Sequence, residues 1–338
     1  MQRRLTLTTL IVVSALSLAA CGSGSDTAED GTTDGTTGGA PSRTEVVTHN
    51  AVGGGSDVFT RQLIKLMKES DNIDRLWPVR NIPAGDAIGA MSFLKEKSGE
   101  ENYIAQMTPT WLVTPMTVQN SNVTVADMTP IAGLASEPQV VAVKAGSPLK
   151  SMNDFIAAAQ ADPGKLVQTG GSGTATDALT GLALQKSTGA KWKFLSFEDT
   201  GSRITAVLRG DADIVMGSAG DFSEQVRAGK MEVITILGSE KLAVFPDAPT
   251  ALEQDIDVES LPLQFRGIIG APDMPEDAVA YYQEALEKTL ATDGWAEYAE
   301  SEGLVTDFRD NAAFGTYLEE RTEVLGGLLE DLGLRKDQ

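Results

Sequence analysis

The sequence predicts an α/β protein, and three observations carry the prediction. From Glu45 onward, short apolar runs alternate with segments of helical period. The turns that end the apolar runs are repeatedly rich in Gly, Ser and Thr. The chain has 338 residues, 41% of them apolar, enough for one large or two medium domains with a real core. Strands alternating with helices argue for mostly parallel sheets. In open sheets of that kind, ligands bind outside the carboxyl ends of the strands, where such turns gather.

Val46 and Val47 read as the first strand, 53–57 as a turn and 58–70 as a helix. Phe59, Leu63, Leu66 and Met67 share one face of that helix at i, i+4, i+7 and i+8, with Asp57 as its N-cap. Residues 78–82 read as a strand, 86–97 as a helix, and 103–107 as a strand closed by Thr108-Pro109-Thr110. The stretch 131–143 is mostly apolar and runs on to Gly146-Ser147-Pro148. Ser151 and Asp154 make a capping-box-like start for a helix through Ala161, which Asp162-Pro163-Gly164 stops. A strand at 165–169 leads through a Gly-Ser-Thr turn into a helix at 176–187. Residues 192–197 form the next strand, and a helix follows Thr200-Gly201-Ser202. Residues 212–216 and 231–237 are further strands, and 263–270 is the last clear one. The C-terminal third is helical, with Tyr281, Tyr282, Leu286 and Leu290 at helical spacing and read as core.

Charge and residue scarcity exclude several functions. With 48 acidic and 27 basic side chains the net charge is −21, which argues against binding nucleic acid or an anionic membrane through charge. One cysteine, Cys21, and one histidine, His49, rule out a disulfide within the chain and thiolate or imidazole zinc clusters. A Ser-His-Asp enzyme would have to use His49, which reads instead as a strand-end residue with no special role. The acidic residues show no EF-hand spacing. No enzyme activity, cofactor or metal is expected.

Residues 1–20 read as a lipoprotein signal peptide, with Arg3 and Arg4 before an apolar run that is too short for a comfortable membrane span. Leu18-Ala19-Ala20-Cys21 resembles a bacterial lipobox, which would make Cys21 the lipidated first residue. The plainer reading is an ordinary signal peptide with an incidental cysteine. Cleavage would remove both arginines and no acid, leaving the chain two charges more negative. Residues 21–44 are almost all small or polar and read as a flexible tether. Coil scaling gives it a reach of roughly 25 Å, so the folded part would sit outside the cell membrane on a lipid anchor.

Four strand-end turns carry the candidate chemistry. The first, at 53–57, holds Gly54, Gly55, Ser56 and Asp57. Its glycines let the backbone approach a ligand, and the helix behind favours negative charge. It is not a P-loop, since no Gly-Lys-Ser/Thr follows. The second offers Ser172, Thr174 and Thr176, the third Thr108 and Thr110, and the fourth Thr200 and Arg203. Each alone could be a capped turn; together they can converge as a ring of donors suited to carboxylate oxygens. Arg203 stands at a helix start, where its charge calls for a partner, either a ligand carboxylate or Asp199. Arg266, inside an apolar strand, is either a buried paired arginine or a ligand contact.

Several segments resemble the Bug-type receptors of tripartite tricarboxylate transporters. VTHNAVGGGSDVFTR at 47–61 resembles the opening strand, glycine loop and helix, and VRNIPAGDAIGA at 79–90 the second strand and turn. SPLKSMNDFIAAAQADPGKL at 147–166, RGDADIVMGS at 209–218, RAGKMEVITILGSEKLAVFPDAPTALE at 227–253 and RGIIGAPDMPEDAV at 266–279 resemble later blocks. The resemblance implies a two-lobed periplasmic-binding-protein-like fold (type II), each lobe a sheet flanked by helices, with a cleft between them. Lobe 1 would comprise 45–140 and 264–338 and lobe 2 would comprise 141–263, joined near 135–143 and 263–270. It implies a small di- or tricarboxylate-like ligand held between the lobes. The contacts would come from Gly54, Gly55, Ser56, Asp57, Ser172, Thr174, Thr176 and Thr200, with Thr108, Thr110, Arg203 and Ser218 completing the set. The partners would be the integral-membrane subunits of the transporter, served by a monomeric receptor. A sensory protein presenting its ligand to a membrane signalling partner has the same fold and pocket, and stays open as the alternative. Asn50 stands where many members carry an aromatic, and Gly217-Ser218 where many have Asp-Asn, so the pocket wall differs from theirs.

Overall fold

The computed structural model describes residues 41–257 and 261–336. The expected signal peptide, Cys21 and the tether up to residue 40 lie outside the described residues. Thr44, at the end of the expected tether, is already buried and shares a hydrogen bond with the Tyr282 hydroxyl at 2.9 Å.

In chain order the elements are β1 (Glu45–Thr48), α1 (Gly55–Glu69), β2 (Val79–Asn81), α2 (Ile88–Lys95), β3 (Tyr103–Met107), α3 (Thr110–Thr117), β4 (Thr129–Ser136) and β5 (Gln139–Lys144). They continue with α4 (Met152–Ala161), β6 (Val167–Gly170), α5 (Thr176–Thr188), β7 (Lys193–Ser196), α6 (Thr200–Arg209), β8 (Ile214–Ser218), α7 (Ala219–Arg227) and β9 (Met231–Leu237). The chain ends with β10 (Phe265–Gly270), α8 (Glu276–Leu290), α9 (Asp293–Glu302), β11 (Val305–Arg309) and α10 (Asn311–Asp331).

The strands form two sheets, ordered β11-β4-β10-β3-β1-β2 and β7-β6-β8-β5-β9. Strand pleating sends alternate residues to opposite faces, and both faces are apolar and helix-covered. Val46, Ile104 and Ile268 face α1, α8 and α9, whereas their neighbours Val47, Ala105 and Ile269 face α2, α3 and α10. In the second sheet Val141 and Val143 pack toward α4, and Val140 and Ala142 toward α6 and α7. The result is the expected α/β architecture of two helix-flanked sheets.

The sheets are mixed rather than mostly parallel. β1, β2 and β3 are parallel, but β10 runs antiparallel to β3 and β4, and β5 antiparallel to β8 and β9. β5 and β10 carry the chain between the sheets, and β11 adds a further antiparallel pairing with β4 at the edge. The apolar run at 131–143 is two strands, broken at Glu137-Pro138 where the chain leaves the first sheet; β10 brings it back. β11 lies beyond the strand expected to be last. It is a polar edge strand, half exposed, and gives no apolar alternation to read. α3 and α7 also went unpredicted, α3 because Pro115 interrupts a short helix.

A candidate ligand cleft between the sheets

A cavity of about 290 Å³ is bounded by strand ends and turns from both sheets. That volume suits a small ligand. The first wall is the β1–α1 turn. A Cβ at Gly54 would lie 2.9 Å from Asn50 Cβ, so glycine is required for the turn to fold back on Asn50. Asn50 Oδ1 then accepts the Ser56 N–H at 2.8 Å and caps α1 from outside the helix. The helix starts at Gly55, with Gly54 at its N-cap position.

Asp57 is therefore inside the first turn and is not the cap. Its carboxylate accepts from Gly53 N, Arg61 Nε and Asn81 Nδ2, each at 2.9 Å. Burial pushes this carboxyl up, but those donors and the Arg61 charge outweigh it and hold it below the usual range. Asp57 shapes the turn from behind; neither it nor Gly54 lines the cavity, whereas Gly55 and Ser56 do.

His49 lines the same wall, against expectation. Trp111 Nε1 donates to His49 Nδ1 at 2.9 Å. Indole N–H is a donor only, so the imidazole is neutral there, with its proton on Nε2. Burial, with the Arg266 charge adding to it, pushes this imidazole down to about 3. Arg266 is the buried, paired arginine of the two alternatives, and it also borders the cavity. Its Nη2 pairs with buried Glu137 at 2.7 Å, and its Nη1 donates to Ser56 Oγ at 3.4 Å.

The second wall is the β6–α5 turn. A Cβ at Gly170 would collide with the Asp177 carboxylate, which accepts the Gly171 N–H at 2.6 Å. Ser172 and Thr176 line the cavity, and Thr176 Oγ1 donates to Gln264 Oε1. Thr174 does not line it. Its hydroxyl accepts from Thr114 at 3.1 Å and donates to Asp86 Oδ2 at 3.5 Å, so it ties the β6–α5 turn to α3 and to the loop before α2. Thr108 and Thr110 line the cavity from the end of β3 and the start of α3.

Arg203 reaches the cavity from α6, its Nε donating to Phe197 O at 3.3 Å. Asp199 is committed elsewhere: it is the α6 N-cap and accepts from Ser202 N at 2.8 Å. Among the described residues Arg203 has no ion pair. Thr200 lies outside the lining and donates to Asp221 Oδ1 at 3.3 Å. Ser218 and Asp221 complete this side, at the start of α7. Burial pushes both Asp177 and Asp221 up, although Arg203 opposes it in each case.

Sequence reading thus located the turns, but it passed over His49, Asp86, Gln139, Asp177, Asp221 and Gln264 as lining residues. The alternation of strand and helix could have flagged Asp177 and Asp221, since both fall in the first turn of a helix that follows a strand.

A family model described as the tripartite tricarboxylate transporter family receptor matches residues 78–334. A Cupriavidus necator protein, the "UPF0065 protein in gbd 5'region", is 23% identical over 291 residues, which span 85% of this chain and 86% of its own. The periplasmic binding protein BugD superposes with a TM-score of 0.79 at 17% identity, covering 88% of this chain and 100% of its own. MatC from Rhodopseudomonas palustris with bound malate superposes with a TM-score of 0.75 at 18% identity, covering 85% and 98%. At these identities the structural likeness speaks for the fold.

Proposed function

The chain belongs to the tripartite tricarboxylate transporter receptor family, and from that premise we propose that it is an extracytoplasmic receptor that closes two lobes on a small organic carboxylate and delivers it to membrane transporter subunits. The reading assigns 45–140 with 264–338 to one lobe and 141–263 to the other, and anchors the chain by a lipid on Cys21. The observation that carries it is Arg203, a guanidinium on the cavity wall that forms no direct ion pair among the described residues, Asp177 and Asp221 acting on it only at longer range. A ligand carboxylate gives it a charge-assisted, bidentate partner. Ser56, Thr108, Thr110, Ser172, Thr176 and Ser218 surround it with hydroxyls, and neutral His49 presents an Nε2 proton. The malate bound by MatC is of the same chemical class.

The net charge of −21 does not forbid an anionic ligand. Screening confines it to about 8 Å at physiological ionic strength, and local donors dominate at contact. Calorimetry of the full chain against a panel of small carboxylates, with sugars as controls, tests the reading. It expects saturable binding of at least one acid at micromolar Kd or better, about 8 kcal/mol. Arg203→Ala should weaken that binding by on the order of a hundredfold, as loss of a charged hydrogen-bonded pair does. Silence across every acid overturns the reading.

A further inference from the structure

A second cavity, of about 520 Å³, borders the two stretches where the chain crosses between the sheets, 136–139 and 261–264. Among the described residues it shares Gln139 and Gln264 alone with the ligand cleft, so it is a separate space. Its other walls include the end of β9 with the turn after it, the start of β11, and the part of α10 that carries Arg321, Val324 and Leu325. The cleft is lined mostly by hydroxyls, amides and charges, whereas this cavity is lined by Leu237, Leu242, Leu261, Leu263, Val305 and Val324. Leu263, Val305 and Val324 are 51%, 49% and 52% exposed, and they come from the second crossing, β11 and α10. One exposed aliphatic side chain is ordinary. Three from separate parts of the chain, converging on one concavity, mark a place that an apolar body covers.

One charge on this wall has no counterpart. Lys241 pairs with Glu253 at 3.2 Å, and Glu137 with Arg266 at 2.7 Å. Glu240 is exposed, where water screens it. Arg321 is half-buried, borders the cavity and, among the described residues, forms no ion pair. Its guanidinium carbon lies 5.5 Å from the centre of the Tyr317 ring, which attracts the cation without neutralising it. Asp307, on the neighbouring edge strand, is taken by Arg309. A neutral hydrocarbon in this space would leave the guanidinium unpaired. A di- or tricarboxylate would press its further charges against leucine and valine. A hydrocarbon body that ends in a single carboxylate meets both demands.

We propose that this cavity is a second ligand site, for an amphipathic monocarboxylate, with its chain against Leu237, Leu263, Val305 and Val324 and its carboxylate on Arg321. The site does not depend on what fills the cleft.

The test is calorimetry of the full chain with octanoate, with butanoate as the shorter acid and octan-1-ol as the uncharged chain. Octanoate should bind saturably with a Kd below about 1 mM. Butanoate should bind at least about tenfold more weakly, since each fully buried CH2 contributes about fourfold. Octanol should also bind about tenfold more weakly, for want of the charged hydrogen bond. Arg321→Gln should weaken octanoate about tenfold and leave octanol unchanged. Val324→Glu alters an exposed helix residue and should weaken both ligands; it serves if the arginine variant does not fold, as a thermal melt would reveal. Arg203→Ala, in the other cavity, should leave octanoate binding as it was. Three outcomes overturn the proposal: no saturable binding of octanoate, octanol binding as tightly as octanoate, or octanoate binding that Arg203→Ala removes and both Arg321→Gln and Val324→Glu spare.

Discussion

His49 is held by one hydrogen bond from Trp111 and has no room for a charge. Its native imidazole titrates near 3 instead of 6.5, so below about pH 6.5 the unfolded chain takes up a proton that the folded chain refuses. The stability it contributes is complete above 6.5 and is lost as pH falls toward 3, about 2 kcal/mol of it by pH 5. His49→Gln should remove that part of the slope, read as the difference between variant and wild-type denaturant midpoints at pH 7 and 5. Asp57 makes a different point. As an expected ligand contact it should be replaceable without harm to the fold, but its carboxylate bonds Gly53, Arg61 and Asn81. Asp57→Ala should lower stability by about 2–3 kcal/mol in equilibrium unfolding, an effect of its lost buried acceptors. Ser56, one position earlier, does face the cavity. The sequence announced the turn through its glycines, but which neighbour faces inward depends on where the helix begins, and Asn50 sets that from outside the helix. The contact from Trp111 to His49 was illegible for a plainer reason: 62 residues separate them.

Elements with a strong period were readable and those without were not. β3 and β9 fall on the residues expected, and α4 starts from Ser151 as read, its hydroxyl accepting the Asp154 N–H. α7 has only Ala219 and Phe222 buried, too few to leave a period in the sequence. Yet α7 carries Asp221 and packs on α9, which flanks the first sheet. Their contact is close: a Cβ at Gly220 would overlap the Glu302 carboxylate. Burial, with Asp221 and Glu137 adding and Arg266 opposing, pushes Glu302 up to about 7. A carboxyl raised in the folded state contributes stability fully present below its unfolded value near 4.5 and lost as pH rises through 7. Glu302→Gln should therefore be more stable than wild type at pH 8 by about 1–2 kcal/mol, discounted for the water that still reaches the group, and indistinguishable at pH 4.5. A thermal-melt series from pH 4.5 to 8 checks it; a constant offset across the series would mean the carboxyl titrates normally.

At the scale of the whole molecule, the two sheets are joined where the chain crosses twice. β4 leaves the first sheet beside β10, which returns to it, and Glu137 N donates to Gln264 O at 2.9 Å across the two crossings. The Glu137–Arg266 pair sits on this junction, both side chains about 95% buried, with 129 residues of chain between them. No local pattern could have paired them, which is why Arg266 read equally as core or as ligand contact. Removing one partner leaves a buried charge alone, so Glu137→Gln should cost about 3 kcal/mol of stability. Removing both leaves no charge to satisfy: Glu137→Leu with Arg266→Met should return to within about 1 kcal/mol of wild type. Stability and binding then separate. The double variant keeps the junction packed but loses the guanidinium that bonds Ser56 and depresses His49. It should bind the ligand at least about tenfold more weakly although it unfolds at a wild-type denaturant concentration. Wild-type affinity in that variant would make the pair a device of the fold alone and leave Arg203, among the described residues, as the cation of the cleft.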